Sequence, residues 1–143
     1  MVPVSQLLAQ KNPDLYTLRP EDPVIAAIQT MADKSIGALL VMDGERLVGI
    51  LSERDYARKV ILMGRSSKDT PVSAIMTPMP LVTVSPHTRT KECMRLMTDR
   101  RIRHLPVVDD GKVVGMLSIG DLVRSIIGEL EGEVEQLKQY IAG

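Results

Sequence analysis

The apolar positions of this chain change period along its length, and the changes mark out its elements. Behind Pro23, Val24, Ala27, Ile28 and Met31 fall at i, i+3, i+4 and i+7, the apolar face of an amphipathic helix with proline at its start. Thr90, Cys93, Met94 and Met97 repeat that spacing. Each helical stretch is followed by two short runs rich in Leu, Val and Ile, at 38–42 and 47–51 and again at 105–108 and 113–117. Asp43-Gly44 joins the first two and Asp109-Asp110-Gly111 the second two, which predicts hairpins. Residues 16–18 and 82–84 read as short lead-in strands, and a further helix starts near Ser52 and near Ser118. Each block is strand, helix, hairpin, helix, so the fold class is α/β.

The two blocks are copies. Segment 17–55 recurs as 83–121 at a constant offset without a gap, sharing Thr17/Thr83, Pro20/Pro86, Met31/Met97, Asp33/Asp99, Ile36/Ile102, Leu39/Leu105, Val41/Val107, Asp43/Asp109, Val48/Val114 and Leu51/Leu117. Gly49/Gly115, Ser52/Ser118 and Asp55/Asp121 add a glycine, a hydroxyl and a carboxylate at one spacing, which points to two equivalent polar sites. One copy buries too little surface to offset its ordering entropy alone, so the fused copies are expected to share a core. The expected division is copy one at 8–62, a linker at 63–76, copy two at 77–129 and a C-terminal helix extension at 130–143. Within the linker, 64–71 is polar and breaker-rich, and 72–76 reads as one helical turn before Pro78 and Pro80. Leu122, Ile126, Leu130, Val134, Leu137 and Ile141 continue a helical stripe that either packs on its own module or meets another protein.

Composition narrows the chemistry. The chain has 143 residues, with 18 basic and 18 acidic side chains that cancel, removing the long-range attraction most nucleic-acid and acidic-membrane binders use. Cys93 is the single cysteine, and no Cys/His cluster has metal-ligand spacing, so no metal is expected. It stands on an apolar helix face and reads as a buried thiol; a redox role would require exposure. No signal-peptide pattern and no long apolar run occur, which leads to an expected cytoplasmic location. With no Phe or Trp and three Tyr, a planar ligand would be gripped mostly by aliphatic side chains.

Ser52-x-x-Asp55 and Ser118-x-x-Asp121 fit the capping box, in which hydroxyl and carboxylate satisfy the first unpaired N–H groups of a helix. A helix start is also an anion site, and both readings can hold together. Gly49 and Gly115, inside strands, imply either close approach of a ligand or a β-bulge. Arg54 and Arg58 lie one helical turn apart and form either a solvated basic face or a phosphate contact, of which Arg54 is retained as a candidate. His104, at the start of a strand, is either structural or a phosphate partner. His87 lies outside both motifs.

These residues resemble the CBS domains, named after cystathionine β-synthase, as a tandem pair or Bateman module. The resemblance covers about 8–130 and rests on Asp22-Pro23-Val24, Ile75-Met76-Thr77, Arg103-His104-Leu105-Pro106-Val107-Val108-Asp109 and the two Gly-x-x-Ser-x-x-Asp closures. Segments 52–59 and 64–68 are further similar to a stand-alone bacterial group related to plant mitochondrial CBS-pair proteins, said to regulate thioredoxin systems. The resemblance implies two repeats packed about a pseudo-twofold axis, with two clefts for adenosine-containing ligands: AMP, ADP, ATP, NAD(H) or S-adenosylmethionine. It also implies a homodimer of pairs arranged as a flat disc, for which the C-terminal helix is the candidate contact.

Carried over, the first cleft uses Met116, Ser118 and Asp121 opposite Tyr16, Ile36, Gly37 and Ala38, with Arg103 and His104 toward the phosphate. The second uses Ile50, Ser52 and Asp55 with Val82, Ile102 and the backbone near Arg103, and Thr77 toward the phosphate. The carboxylate would hold the ribose diol and the hydroxyl would meet a phosphate. Gly37 and Ala38 stand where copy two has Arg103 and His104, and Lys11 where it has Thr77, so the clefts should differ in phosphate affinity.

The expected function is a non-catalytic regulatory module that senses an adenine nucleotide, AMP first among candidates, and passes occupancy to a partner or its own oligomer. No required cofactor, membrane or nucleic acid is implied, and the thioredoxin system is the partner the resemblance suggests. One alternative is a structural interaction module with empty clefts. Another, an enzyme acting on a nucleotide or redox substrate, lacks a nucleophile–base pair, a metal set and the G-x-x-x-x-G-K-[ST] phosphate loop.

Overall fold

The computed structural model describes residues 2–11 and 13–142. They form two compact units whose boundaries differ from those of the two sequence copies: Asp14–Leu81 is one, and the stretch up to Pro13 joins the segment from Val82 onward in the other.

In the Asp14–Leu81 unit, β1 (Thr17–Leu18), β2 (Ala38–Asp43), β3 (Arg46–Ser52) and β4 (Thr77–Pro78) form one sheet in that order. The β1/β2 pairing is parallel and the others antiparallel. Helix α2 (Val24–Lys34) buries Val24, Ala27 and Met31, the face its periodicity predicts. It stops at Ser35, which takes the left-handed conformation (φ 54°, ψ 46°) while Ile36 N–H donates back to the Met31 carbonyl at 3.0 Å. The β2–β3 turn places Gly44 at φ 63°, where a side chain would be strained. After β3, α3 (Glu53–Tyr56) continues as a π-helical turn, Ala57–Ile61. The core holds Leu18, Val24, Ala27, Met31, Leu39, Val41, Leu51, Val60, Val72 and Ile75.

The second unit repeats the plan with α4 (Thr90–Arg100), β5 (His104–Asp109) and β6 (Lys112–Ser118). Arg101 ends α4 in the left-handed region (φ 55°), and the hairpin turn takes positive φ at both Asp110 and Gly111. The expected lead-in strand at 82–84 shrinks to a single parallel bridge, Val84 to Val107. The cause lies in β5: where β2 offers Leu40, β5 offers Pro106, which has no N–H to donate to a neighbour. Helix α5 (Ile119–Ala142) runs unbroken for 24 residues, so the closing helix of copy two and the expected extension are one element. Helix α1 (Val4–Gln10) contributes Val4 and Leu7 to a core with Val84, Cys93, Met97, Leu105, Val107, Leu117 and Leu122. Each unit therefore has its own buried cluster.

The segment that leads into each copy packs on the body of the other copy. Pro71-Val72-Ser73 bonds to the loop before α2, with Val72 N–H on the Asp22 carbonyl at 2.8 Å and Ser73 N–H on the Pro20 carbonyl at 2.9 Å. Pro3-Val4-Ser5 makes the same two bonds before α4, to Thr88 and Pro86, at 2.8 and 2.9 Å. The strand glycines accommodate these segments. A Cβ at Gly49 would stand 2.6 Å from Met76 Sδ and 2.8 Å from the Thr77 carbonyl oxygen; one at Gly115 would stand 2.8 Å from Leu8 Cδ2. Beside each glycine the ladder slips by one residue, between Val41 and Met42 and between Val107 and Val108. Of the two readings of these glycines, the structure supports bulge and close packing, with protein atoms in the space.

Candidate functional site

Both Ser-x-x-Asp closures form reciprocal caps. Ser52 Oγ accepts from Asp55 N–H at 3.2 Å, while Asp55 Oδ2 accepts from Ser52 N–H at 3.0 Å and from Ser52 Oγ at 3.1 Å. Ser118 Oγ accepts from Asp121 N–H at 3.3 Å, and Asp121 Oδ2 accepts from Ser118 N–H at 2.8 Å. The helix starts are secured further by the residue just before each hairpin: Glu53 N–H donates to the Gly37 carbonyl at 3.1 Å and Ile119 N–H to the Arg103 carbonyl at 2.8 Å.

Around these caps the two units differ in charge. Asp121 is buried, at 7% exposure, and two cations hold it. Lys11 Nζ donates to Asp121 Oδ2 and to the Met116 carbonyl, both at 2.7 Å, and Arg124 Nη2 donates to Asp121 Oδ1 at 2.6 Å. Burial pushes the Asp121 carboxyl upward, but hydrogen bonds from Lys11 and Ser118 together with the Lys11 charge outweigh it and hold the group below its ordinary value. At Asp55 the equivalent place is taken by Thr77, whose Oγ1 donates to Asp55 Oδ1 at 3.5 Å. Lys59 adds an ion pair to Asp55 Oδ1 at 3.3 Å and donates to the Ile75 carbonyl at 3.0 Å. The divergence at Lys11 and Thr77 is thus a divergence at the carboxylate itself.

A cavity of about 430 Å³ opens at the Asp121 cluster, lined by Leu7, Gln10, Lys11, Asp121, Arg124 and Ser125. That volume is within the range of small-molecule sites. His104 is half-buried near this charge group; burial lowers its pKa below the ordinary 6.5, and Lys11 and Arg103 lower it further against the opposing pull of Asp121. The imidazole is neutral at neutral pH, so it offers a hydrogen bond rather than a charge.

The expected site residues fall into two groups. Lys11, Val82, Ile102, Arg103, His104, Met116, Ser118 and Asp121 belong to the second unit, where Lys11, Met116, Ser118 and Asp121 are directly hydrogen-bonded together and Val82 and Ile102 pack on the core. Tyr16, Ile36, Gly37, Ala38, Ile50, Ser52, Arg54, Asp55 and Thr77 belong to the Asp14–Leu81 unit. There Ser52, Asp55 and Thr77 come together, Ile36 and Tyr16 pack on the core, and Ala38 is fully buried. Lys34 Nζ lies 5.0 Å from the Tyr16 ring centre. Arg54 and Arg58 are both exposed, and the basic residue that meets Asp55 is Lys59. Lys59 and Arg124 were not among the expected site residues, although a base three or four positions after an N3 carboxylate on a helix is a legible signal. Cys93 is fully buried, and burial followed by the Glu92 charge pushes its thiol to about 11, in keeping with the buried thiol expected. Among the described residues, no group of three or more acidic, His or Cys side chains has a metal-holding arrangement, and no helix is long and apolar enough to cross a membrane.

The CBS domain family matches residues 4–61 and 72–128. Over 127 residues the chain is 46% identical to the mitochondrial CBS domain-containing protein CBSX3 of Arabidopsis thaliana, covering 86% of this chain and 62% of that protein. It spans 21% of CBSCBSPB5 from the same plant, at 38% identity over 81% of this chain. A solved CBS-domain protein from Burkholderia ambifaria MC40-6, assigned to signal transduction, has a TM-score of 0.86 and 52% identity over 89% of this chain and 95% of that one. A hexameric CBS-CP12 protein from bloom-forming cyanobacteria has a TM-score of 0.75 and 26% identity over 85% of this chain and 66% of that one. With a duplicated body, paired Ser-x-x-Asp closures and two matched segments that take up most of its length, the chain belongs to the CBS domain family, as a tandem pair.

Proposed function

We propose that this module senses an adenosine-containing ligand, AMP first and then ADP, ATP or NAD(H), and passes its occupancy to a partner or to its own oligomer without catalysis. The observation that carries the reading is the Asp121 cluster: a buried carboxylate beside two cations at the mouth of a cavity of about 430 Å³. A nucleotide presents the matching pair of groups, a ribose diol that donates to carboxylate and a phosphate that accepts from Lys11, Arg124 and the neutral His104. Met116 would supply aliphatic surface to the base. Asp55, with Thr77 in place of Lys11, would form a second site of lower phosphate affinity, with Ile50 beside it.

A ligand that shifts a regulatory equilibrium must bind its two states unequally. The ion pairs at Asp121 give that inequality a local origin, because a ribose hydroxyl that donates to the carboxylate competes there with Lys11 and Arg124. We further propose a relay through the thioredoxin system, on the resemblance to the plant mitochondrial CBS-pair proteins, and placement in the cytoplasm, on the sequence pattern.

The test is a thermal-shift panel on nucleotide-stripped protein with AMP, ADP, ATP, NAD, NADH, S-adenosylmethionine and GMP as control. A ligand at about 100 times its Kd stabilises by roughly 2.7 kcal/mol, a shift of several degrees for a domain of this size. Loss of the shift in Asp121→Ala and in Lys11→Met supports the reading, and a flat panel with the parent protein ends it. The fact that both Asp121 oxygens are already bonded favours one second reading, a structural cap with no ligand. It predicts that Asp121→Ala lowers stability and that no nucleotide response exists to lose.

A further inference from the structure

In each unit a lysine ties the leading segment to the cap carboxylate, and the two lysines come from different places. In the second unit the lysine belongs to the segment itself: Lys11, just past α1, donates to Asp121 Oδ2 and to the Met116 carbonyl of β6, both at 2.7 Å. In the Asp14–Leu81 unit it belongs to the body. Lys59, in the π-helical turn, lies 3.3 Å from Asp55 Oδ1 and donates to the Ile75 carbonyl of the leading segment at 3.0 Å. Neither lysine has a counterpart in the duplication, since copy two has Thr77 for Lys11 and Ser125 for Lys59. The same tie is thus made twice by unrelated residues, so duplication alone does not account for it.

We propose that Asp121 governs the docking of α1 through Lys11, so that a donor arriving at the carboxylate releases the carboxyl end of α1 from β6. The start of α1 is held independently of the site. The Val2 carbonyl accepts from Thr90 N–H at 3.0 Å and Thr90 Oγ1 at 2.7 Å, and Val4 and Leu7 are buried in the core. At the other end Lys11 supplies the polar hold, and three residues further the chain enters the other unit at Asp14. The freed end is therefore the end that leads out of the second unit. A ribose hydroxyl competes with Lys11 for Asp121, and a phosphate offers Nζ an acceptor in place of the Met116 carbonyl. The identity of that donor rests on the nucleotide reading above; the tie does not. By linkage, occupancy of the site and docking of this end oppose each other.

Hydrogen–deuterium exchange on the full chain tests it. Helix α1 has seven residues, fewer than the about 12–15 that hold a helix alone in water, so its amide protection reports its docking. Without ligand, Lys11→Met should speed exchange of amides 8–11 by roughly tenfold, the effect of losing charge-assisted hydrogen bonds. Arg124→Met takes a cation from the other oxygen of the same carboxylate and should leave those amides as in the parent. Lys59→Met should speed exchange over 72–77 and leave α1 unchanged. In the parent, saturating adenosine should speed exchange at 8–11, and AMP should do so less, because its phosphate gives Lys11 a new acceptor. Parent-like protection in Lys11→Met, equal loosening in Arg124→Met, or bound adenosine with no change at 8–11 would each overturn the proposal. If neither adenosine nor AMP binds, the nucleotide reading falls, while the ligand-free variants still decide whether Asp121 governs α1.

Discussion

Asp121 combines three duties in one carboxylate: it closes a helix cap, balances Lys11 and balances Arg124. Asp121→Ala is expected to cost about 1–2 kcal/mol from the cap, with more from leaving Lys11 and Arg124 adjacent and unneutralised; urea denaturation of the variant measures it. Because the folded carboxyl sits below its ordinary 3.8, its stabilisation is intact above that pH and is lost as pH falls through the folded value. His104 acts at higher pH and in the same direction. The unfolded imidazole takes its proton at the ordinary 6.5 and the folded one only at lower pH, so protons favour the unfolded chain as pH falls below 6.5. Stability should therefore decline below neutrality and again above pH 9, where the unfolded Cys93 thiol ionises and the folded one, pushed to about 11, does not; His104→Gln should lessen the decline below pH 6.5 in urea melts. The two Ser-x-x-Asp caps were legible as residues, since the Gly-x-x-Ser-x-x-Asp closures are local patterns. That Lys11 would lie on Asp121 was not, because the contact spans most of the chain and depends on which body the N-terminal helix packs against.

At the level of elements, helices α2 and α4 and both hairpins stand where periodicity and turn residues put them, because their signals are short-range. The lead-in strand before α4 failed for a reason visible only in pairing, the missing N–H of Pro106. The two strand glycines separate by what fills their space. Gly49→Ala drives a methyl onto the Thr77 carbonyl oxygen as well as Met76 Sδ, whereas Gly115→Ala meets the end of the Leu8 side chain, which can rotate. Gly49→Ala should lower stability by about 1–3 kcal/mol and Gly115→Ala by less, as read from paired thermal melts. In the other direction, Ser35 is an exposed side chain at φ 54°, and Ser35→Gly should raise stability by about 0.5–1 kcal/mol by relieving a left-handed residue at a helix end.

For the whole molecule, the units that fold are not the units that repeat. The sequence holds the clue in Pro3-Val4-Ser5 and Pro71-Val72-Ser73, but these recur at a spacing two residues longer than the rest of the duplication, and their crossing from one body to the other leaves no local trace. A fragment that ends within the linker between the copies, 1–69, lacks Val72, Ile75 and Met76 from its core; the fragment 14–81 has them all. Circular dichroism and melting should find 14–81 cooperatively folded and 1–69 far less so. The crossing also says what a chain with a single copy would have to do. Its own leading segment could not cover its own sheet, so two such chains would trade segments and fold only as they met, at a rate and stability set by concentration. Joining the copies turns that bimolecular trade into one within a single chain, where the needed segment is always at hand.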